Sequence, residues 1–134
     1  MQAWFDEQKP ENMQLLRRLP KIDYDRLVAA CDVGLIFLDK RFTIPNFPSR
    51  LLGYMQARLP VICCTDANTD VGETAETGGF GWKCIANEPS GFVSCVQSAF
   101  ESDLRGMGDR AYEYLLAHYT SEQAYEIIVK GVQE

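Results

Sequence analysis

Val33-Gly34-Leu35-Ile36-Phe37-Leu38 is an unbroken apolar run. Such a run is typical of a parallel strand buried on both faces, so a fully covered strand is expected over 33–38. A second run, Val61-Ile62-Cys63-Cys64, opens after Pro60. Between the two, residues 41–47 contain Pro45 and Asn46 and read as a loop. A helix is then expected from near Pro48 to about Ala57. Proline fits a first helical turn, and Leu51, Leu52 and Met55 supply one apolar face. Strand, loop, helix and strand in this order make the repeating unit of a parallel sheet, with a right-handed crossover.

The same alternation extends to both sides. Residues 65–70 form a polar loop. Residues 71–77 read as a short helix closed by Gly78-Gly79, and 80–85 as the last strand. From Pro89 onward the pattern is helical throughout. Phe92, Val93, Val96 and Phe100 form one stripe, Tyr112, Leu115, Leu116 and Tyr119 a second, and Ala124, Ile127 and Ile128 a third. Toward the N-terminus, Asp23 reads as the N-cap of a helix over 24–31 with Leu27, Val28 and Cys31 at helical spacing. Residues 13–17 read as a short strand followed by a Leu19-Pro20-Lys21 connector. Residues 1–8 read as the tail of a helix anchored by Trp4 and Phe5, broken by Pro10, Glu11 and Asn12. The expected class is α/β: a Rossmann-like parallel sheet of about four strands, six or seven helices, and a helical C-terminus, as one domain over 1–134.

Composition narrows the partners. The 134 residues carry a formal net charge of −6, against a nucleic acid or an anionic membrane, both of which attract basic surfaces. A small phosphate ligand stays open, because it needs only local amides and a cation. The five cysteines, Cys31, Cys63, Cys64, Cys84 and Cys95, are odd in number and form no CxxC pair. A disulfide framework or zinc site is not expected. Cys63 and Cys64 read as small apolar strand residues in a reduced, cytosolic setting. Residues 1–10 are polar and charged, unlike a secretory signal, and no apolar run is long enough to cross a membrane.

In open α/β sheets ligands bind beyond the carboxyl ends of the strands, which points to loops 18–20, 39–48 and 65–70. The middle loop leads into the helix near Pro48. A helix start has unsatisfied N–H groups and partial positive charge; Ser49 adds a hydroxyl and Arg50 a forked cation, a combination suited to a diphosphate. From spacing alone, Asn46 equally well shapes a turn, Ser49 caps the helix, and Arg50 is a solvated helix residue.

The stretch Ile44-Pro45-Asn46-Phe47-Pro48-Ser49-Arg50-Leu51-Leu52-Gly53-Tyr54-Met55-Gln56-Ala57-Arg58-Leu59-Pro60-Val61-Ile62 resembles the donor-site segment of retaining GT-B glycosyltransferases of family 4. That segment runs Pro-Ser-Lys-Leu, a helix ending in small residues, then Pro-Val-Ile. Flanking features resemble the family too: 23–33, the glycine-rich start at Gly79 to Trp82, and the closing helices with Leu115, Tyr119 and Tyr125. The likeness covers nearly the whole chain and is nearest to bacterial enzymes that add amino or deoxy sugars to surface polysaccharides.

The resemblance implies an incomplete C-terminal, donor-binding domain. The nucleoside diphosphate sugar, UDP-linked by expectation, is a substrate, and no cofactor or metal is implied. Asn46, Phe47, Ser49 and Arg50 would hold the diphosphate, with Pro48 offering no N–H. Arg18, Leu19 and Pro20 would lie near the base. Two family glutamates, one near the sugar and one on the ribose, correspond to Pro45 and Gly53, so both carboxylates are missing. Arg58 stands where the family has glycine. The N-terminal acceptor domain and the first two strands of the C-terminal domain would precede Met1. Strand 33–38 would then lose a neighbour, giving either a rearranged sheet or a homodimer through that edge. The enzyme would be cytoplasmic, peripheral to the inner membrane face when intact.

Other residues have plainer readings. His118, the sole histidine, sits near a helix end where positive charge complements the dipole. Asp66, Asp70 and Glu73 lack calcium-loop spacing and read as solvated or capping groups. Trp4, Phe5 and Trp82 read as core anchors. Asp32 and Asp39 flank a strand as in receiver domains, but without a second adjacent acid or a placed lysine. Two alternatives to a donor-binding transferase part remain: an inactive fragment serving as an interaction module, and a receiver- or flavodoxin-like domain.

Overall fold

The computed structural model describes residues 2–39, 41 and 47–133, and the side chains of all these except 132 and 133. Pro45 and Asn46 therefore lie outside the described residues. Three strands, β1 (Gly34–Phe37), β2 (Val61–Thr65) and β3 (Gly81–Ile85), form one parallel sheet in the order β1-β2-β3. The register pairs Ile36 with Cys63 and Cys63 with Lys83. The helices are α1 (Gln2–Gln8), α2 (Lys21–Ala29), α3 (Arg50–Gln56), α4 (Val71–Thr77), α5 (Pro89–Phe100), α6 (Leu104–His118) and α7 (Ser121–Gln133). The α/β class and the helical C-terminus are as expected.

The sheet is covered unequally. On one face Ile36, Val61 and Cys63 pack with Leu51 and Met55 of α3, Val71 and Ala75 of α4, and Ala111 and Leu115 of α6. Both crossover helices lie on this face, as two crossovers of one hand stepping in one direction must. The other face carries α5 alone, whose Phe92, Cys95 and Val96 pack on Ile62, Cys64, Trp82 and Cys84. β2, between two neighbours and beneath helices on both faces, is buried at every residue.

β1 is not. Its side chains alternate between buried and exposed, with Leu35 38% and Phe37 57% accessible. This corrects the expectation of a strand covered on both faces, because α5 lies over β2 and β3 and touches β1 at its edge, where the Phe92 ring stands 5.4 Å from that of Phe37. Residues 13–17 form no strand and run as a largely exposed segment, Met13 and Leu16 half accessible. The sheet has three strands among the described residues rather than four. The strand order is sequential, not rearranged, and β1 stands at the edge.

Several helix expectations also change. α2 begins at Lys21 with Pro20 preceding it; Asp23 lies inside its first turn, and no α2 residue is buried. Trp4 is half accessible and α1 buries nothing, so neither it nor Phe5 anchors a core. Val93, Phe100, Leu116, Ile127 and Ile128 of the C-terminal stripes are also exposed. Their periodicity made the helices, but nothing described lies over those positions.

The two sheet edges are capped by side chains. The Tyr54 hydroxyl donates to the Leu35 carbonyl at 3.2 Å, on the outer side of β1. On the outer side of β3 the Lys83 N–H donates to Glu76 Oε1 at 3.2 Å, and the Cys95 thiol to the Lys83 carbonyl at 3.5 Å. Satisfied edge groups are poorer templates for a further strand. α4 ends as expected at Gly78-Gly79: Gly79 has φ +67, its N–H donates to the Glu76 carbonyl, and the Phe80 N–H reaches back to Ala75. That bond pair is the Schellman arrangement, with fully buried Phe80 as its hydrophobic contact.

Candidate functional site

α3 follows β1 in the chain and packs against it. Ser49 holds the N-cap position with helical angles (φ −56, ψ −22), and its side chain makes no capping bond. The N–H of Leu51 donates to the Pro48 carbonyl and that of Leu52 to Ser49, so the first turn is tight. Ser49 and Arg50 are exposed, and Arg50 enters no ion pair among the described residues. Phe47 is 38% accessible and packs on Tyr119, with ring centroids 5.3 Å apart. Tyr119 leads to Tyr114 at 6.1 Å, and Tyr114 to His118 at 4.2 Å. The end of α6 thus braces the approach to α3. Burial, first of all, raises the Tyr119 phenol above its ordinary value. His118 belongs to this aromatic group at the end of its helix.

Arg18 and Pro20 are exposed, Leu19 half-buried. The Pro20 carbonyl accepts from the Asp23 and Tyr24 amides, so this residue starts α2. Gly53 lies on the outer face of α3 and shares a cavity of about 260 Å³ with Lys21, Tyr24, Asp25 and Val28. The groove between α2 and α3 therefore brings Gly53 to the helix that Pro20 begins. Arg18 and Leu19 do not line it. A Cβ built at Gly53 meets nothing within 4 Å, so a larger side chain fits there.

Two features near the strand ends carry no signal in the residue order alone. Arg41 is clasped by Asp39 through its backbone N–H, Nε and Nη2 at 2.8 to 2.9 Å, and that hydrogen bonding raises the guanidinium pKa above its ordinary value. Asp66 is 5% accessible, not a solvated cap. Its carboxylate accepts from the Thr69 hydroxyl and from the amides of Asn68 (2.7 Å) and Thr69 (3.2 Å), closing the β2–α4 loop upon itself. The Thr69 hydroxyl, then the Asn68 amide, hold its pKa below the usual value. Asp70 precedes α4 without a side-chain cap. Lys83 spans to Glu73 at 3.1 Å and Glu76 at 4.0 Å.

The position that departs from the family glycine has its own geometry. Arg58 adopts φ +55, a left-handed conformation that favours glycine. Its guanidinium lies 4.2 Å over the Tyr112 ring and bonds Asp109 Oδ1 at 2.6 Å. Contacts to α6 thus hold an arginine where the backbone prefers no side chain.

These features place an exposed serine and an exposed arginine at the start of α3, beside a groove shared with α2. Among the described residues no group of three His, Cys, Asp or Glu is placed to hold a metal ion.

The chain is 25% identical over 114 residues to "Probable glycosyltransferase WbjE" of Pseudomonas aeruginosa. The match covers 85% of this chain and 28% of that protein, so the chain spans little more than a quarter of the curated relative. The similarity supports a glycosyltransferase relationship. No family profile matches the chain, and no solved structure matches it. No helix among the described residues is long and apolar enough to cross a membrane.

Proposed function

We propose that this chain is the donor-binding part of a retaining GT-B glycosyltransferase of bacterial polysaccharide synthesis. The observation that carries the reading is the similarity to a glycosyltransferase across 85% of the chain. The donor is a nucleoside diphosphate sugar, UDP-linked. Asn46, Phe47, Ser49 and Arg50 hold its diphosphate at the start of α3. Arg18, Leu19, Pro20 and Gly53 surround the base and ribose.

In this reading the sugar moves from the diphosphate to an acceptor hydroxyl with retained configuration. As the glycosidic bond to phosphate breaks, negative charge grows on the leaving diphosphate. The exposed Arg50 guanidinium and the Ser49 hydroxyl oppose that charge. None of the described residues is assigned as nucleophile or base, and a separate acceptor domain completes the cleft. The test is an amide NMR titration of the folded chain with UDP. Shifts concentrated at Phe47, Ser49, Arg50 and Gly53 support the reading; shifts confined to other loops overturn this site.

A second reading, an interaction module without activity, draws on a different observation. β1 is an edge strand, and Leu35 and Phe37 are open on the face beside it. A homodimer that packs this open face of β1, beside the Tyr54-capped edge, would cover both. Sedimentation analysis decides it: a concentration-dependent dimer weakened by Phe37→Lys favours the module, and a monomer at all concentrations rejects it.

A further inference from the structure

Cys64 and Cys84 occupy directly paired positions on the neighbouring strands β2 and β3. Their sulfurs lie 2.9 Å apart, in hydrogen-bond contact, on the sheet face packed by α5. Adjacent strands stand about 4.7–4.9 Å apart, and a disulfide accepts Cα separations of about 4.4–6.8 Å, so the backbone already suits a bridge. Cys63, next in sequence, is in the core cluster of the opposite face. Cys95 directs its thiol to the Lys83 carbonyl. All five cysteines are free thiols.

Cys84 is half-buried and lines a cavity of about 280 Å³ with Asp66, Glu73 and Lys83. Cys64 is 2% accessible but borders a separate cavity of about 300 Å³ beside Phe37 and Phe92. The first cavity lies on the α4 face with Lys83, whereas the second lies on the α5 face where both sulfurs are, so a small oxidant reaches the pair from that side.

We propose that Cys64 and Cys84 form a modification site, a cross-strand dithiol that a hydroperoxide converts to a disulfide. The Cys84 sulfur attacks the peroxide: an S–O bond forms, the O–O bond breaks, and the departing hydroxide takes the thiol proton as water. The Cys64 sulfur then attacks the sulfenic sulfur; an S–S bond forms, the S–O bond breaks, and a second water leaves. The two sulfurs together lose two electrons, and hydrogen peroxide is reduced to two waters. Burial pushes the Cys84 thiol up to about 12 and raises Cys64 as well, so the first step is slow. The second step gains from contact that is already made. The pair is accordingly slow to oxidise, and the 2.9 Å contact favours Cys64 over the neighbouring Cys95 as the second sulfur.

The test uses the intact chain and hydrogen peroxide, with tryptic mapping under non-reducing conditions. Trypsin separates peptide 59–83 from peptide 84–105, and fragmentation of the linked pair locates the sulfurs. The expected result is a mass loss of two hydrogens and a Cys64–Cys84 link within one chain. The link should persist in Cys95→Ala and Cys63→Ala and return to free thiols with dithiothreitol. A link through Cys95 or Cys63 instead, or overoxidised Cys84 with Cys64 still free, overturns the proposal. So does oxidation confined to Cys31 after prolonged exposure. The wild-type map decides the matter even if a variant fails to fold.

Discussion

The backbone of Gly108 on α6 lies against the carbonyl oxygen of Arg58, so closely that an added Cβ would collide with it. The contact joins the helix carrying the candidate site, α3, to its principal support. The obstacle is backbone rather than the end of a flexible side chain, so it cannot swing aside.

Gly108→Ala should therefore force α6 away from the turn after α3. Overpacking of this kind costs about 1–3 kcal/mol. Urea denaturation measures it. An unchanged midpoint would mean that α6 is not seated where the structure places it.

Arg58 supplies a paired comparison. Arg58→Ala keeps the left-handed backbone and loses both Tyr112 and Asp109. Arg58→Gly loses the same contacts but relieves the conformation, worth roughly 1–2 kcal/mol. The glycine variant should be the more stable of the two by about 1 kcal/mol, even though glycine adds freedom to the unfolded chain. The ion pair is half exposed on both sides and contributes little. Equal stability of the two variants would contradict the assigned backbone.

Asp66 predicts a pH dependence. Its folded pKa is held below the ordinary carboxylate value of 3.8 by the Thr69 hydroxyl and the Asn68 amide. Protons therefore bind the unfolded chain first as pH falls. The stabilisation is complete above 3.8 and is lost as pH falls through the lower folded value. Asp66→Asn should lower the urea midpoint at neutral pH, and the gap to wild type should close in acid. A constant gap across that range would show that the carboxylate charge is not what closes the loop.

The βαβ core was legible because the apolar runs 33–38 and 61–64 flank one amphipathic helix, a pattern local in sequence. The Gly78-Gly79 stop was legible for the same reason. One-sided exposure of β1 was not, because it depends on α5 lying over β2 and β3 and touching β1 only at its edge. The 13–17 segment has strand-like residues but pairs with no strand of the sheet. At the site, Ser49 and Arg50 fall at the helix start the pattern predicted, whereas Asn46 and Pro45 lie outside the described residues. The bracing of Phe47 by Tyr119 and the clasp of Arg41 by Asp39 depend on chain geometry that spacing does not encode. Arg58 gave no sign of its left-handed backbone beyond standing at a family glycine.

Gly53 offers a gain-of-function test of the family comparison. There is open space for a side chain there, and α3 gains helix propensity from any replacement, about 0.5–1 kcal/mol for alanine. Gly53→Glu restores the carboxylate that the resemblance places on the ribose. A charged hydrogen bond of about 1.5–3 kcal/mol would tighten UDP binding roughly tenfold or more. Affinity that falls or stays level while the fold is stabilised would remove Gly53 from the nucleotide's surroundings.

The proposed contact of α3 with a nucleotide-sugar diphosphate is open to calorimetric titration of UDP into the folded chain, with GDP, ADP and Arg50→Ala as controls. Saturable UDP binding is expected, weakened by about tenfold in Arg50→Ala through the loss of one charge-assisted contact. Absence of binding by a folded chain, or binding indifferent to Arg50, would contradict that contact.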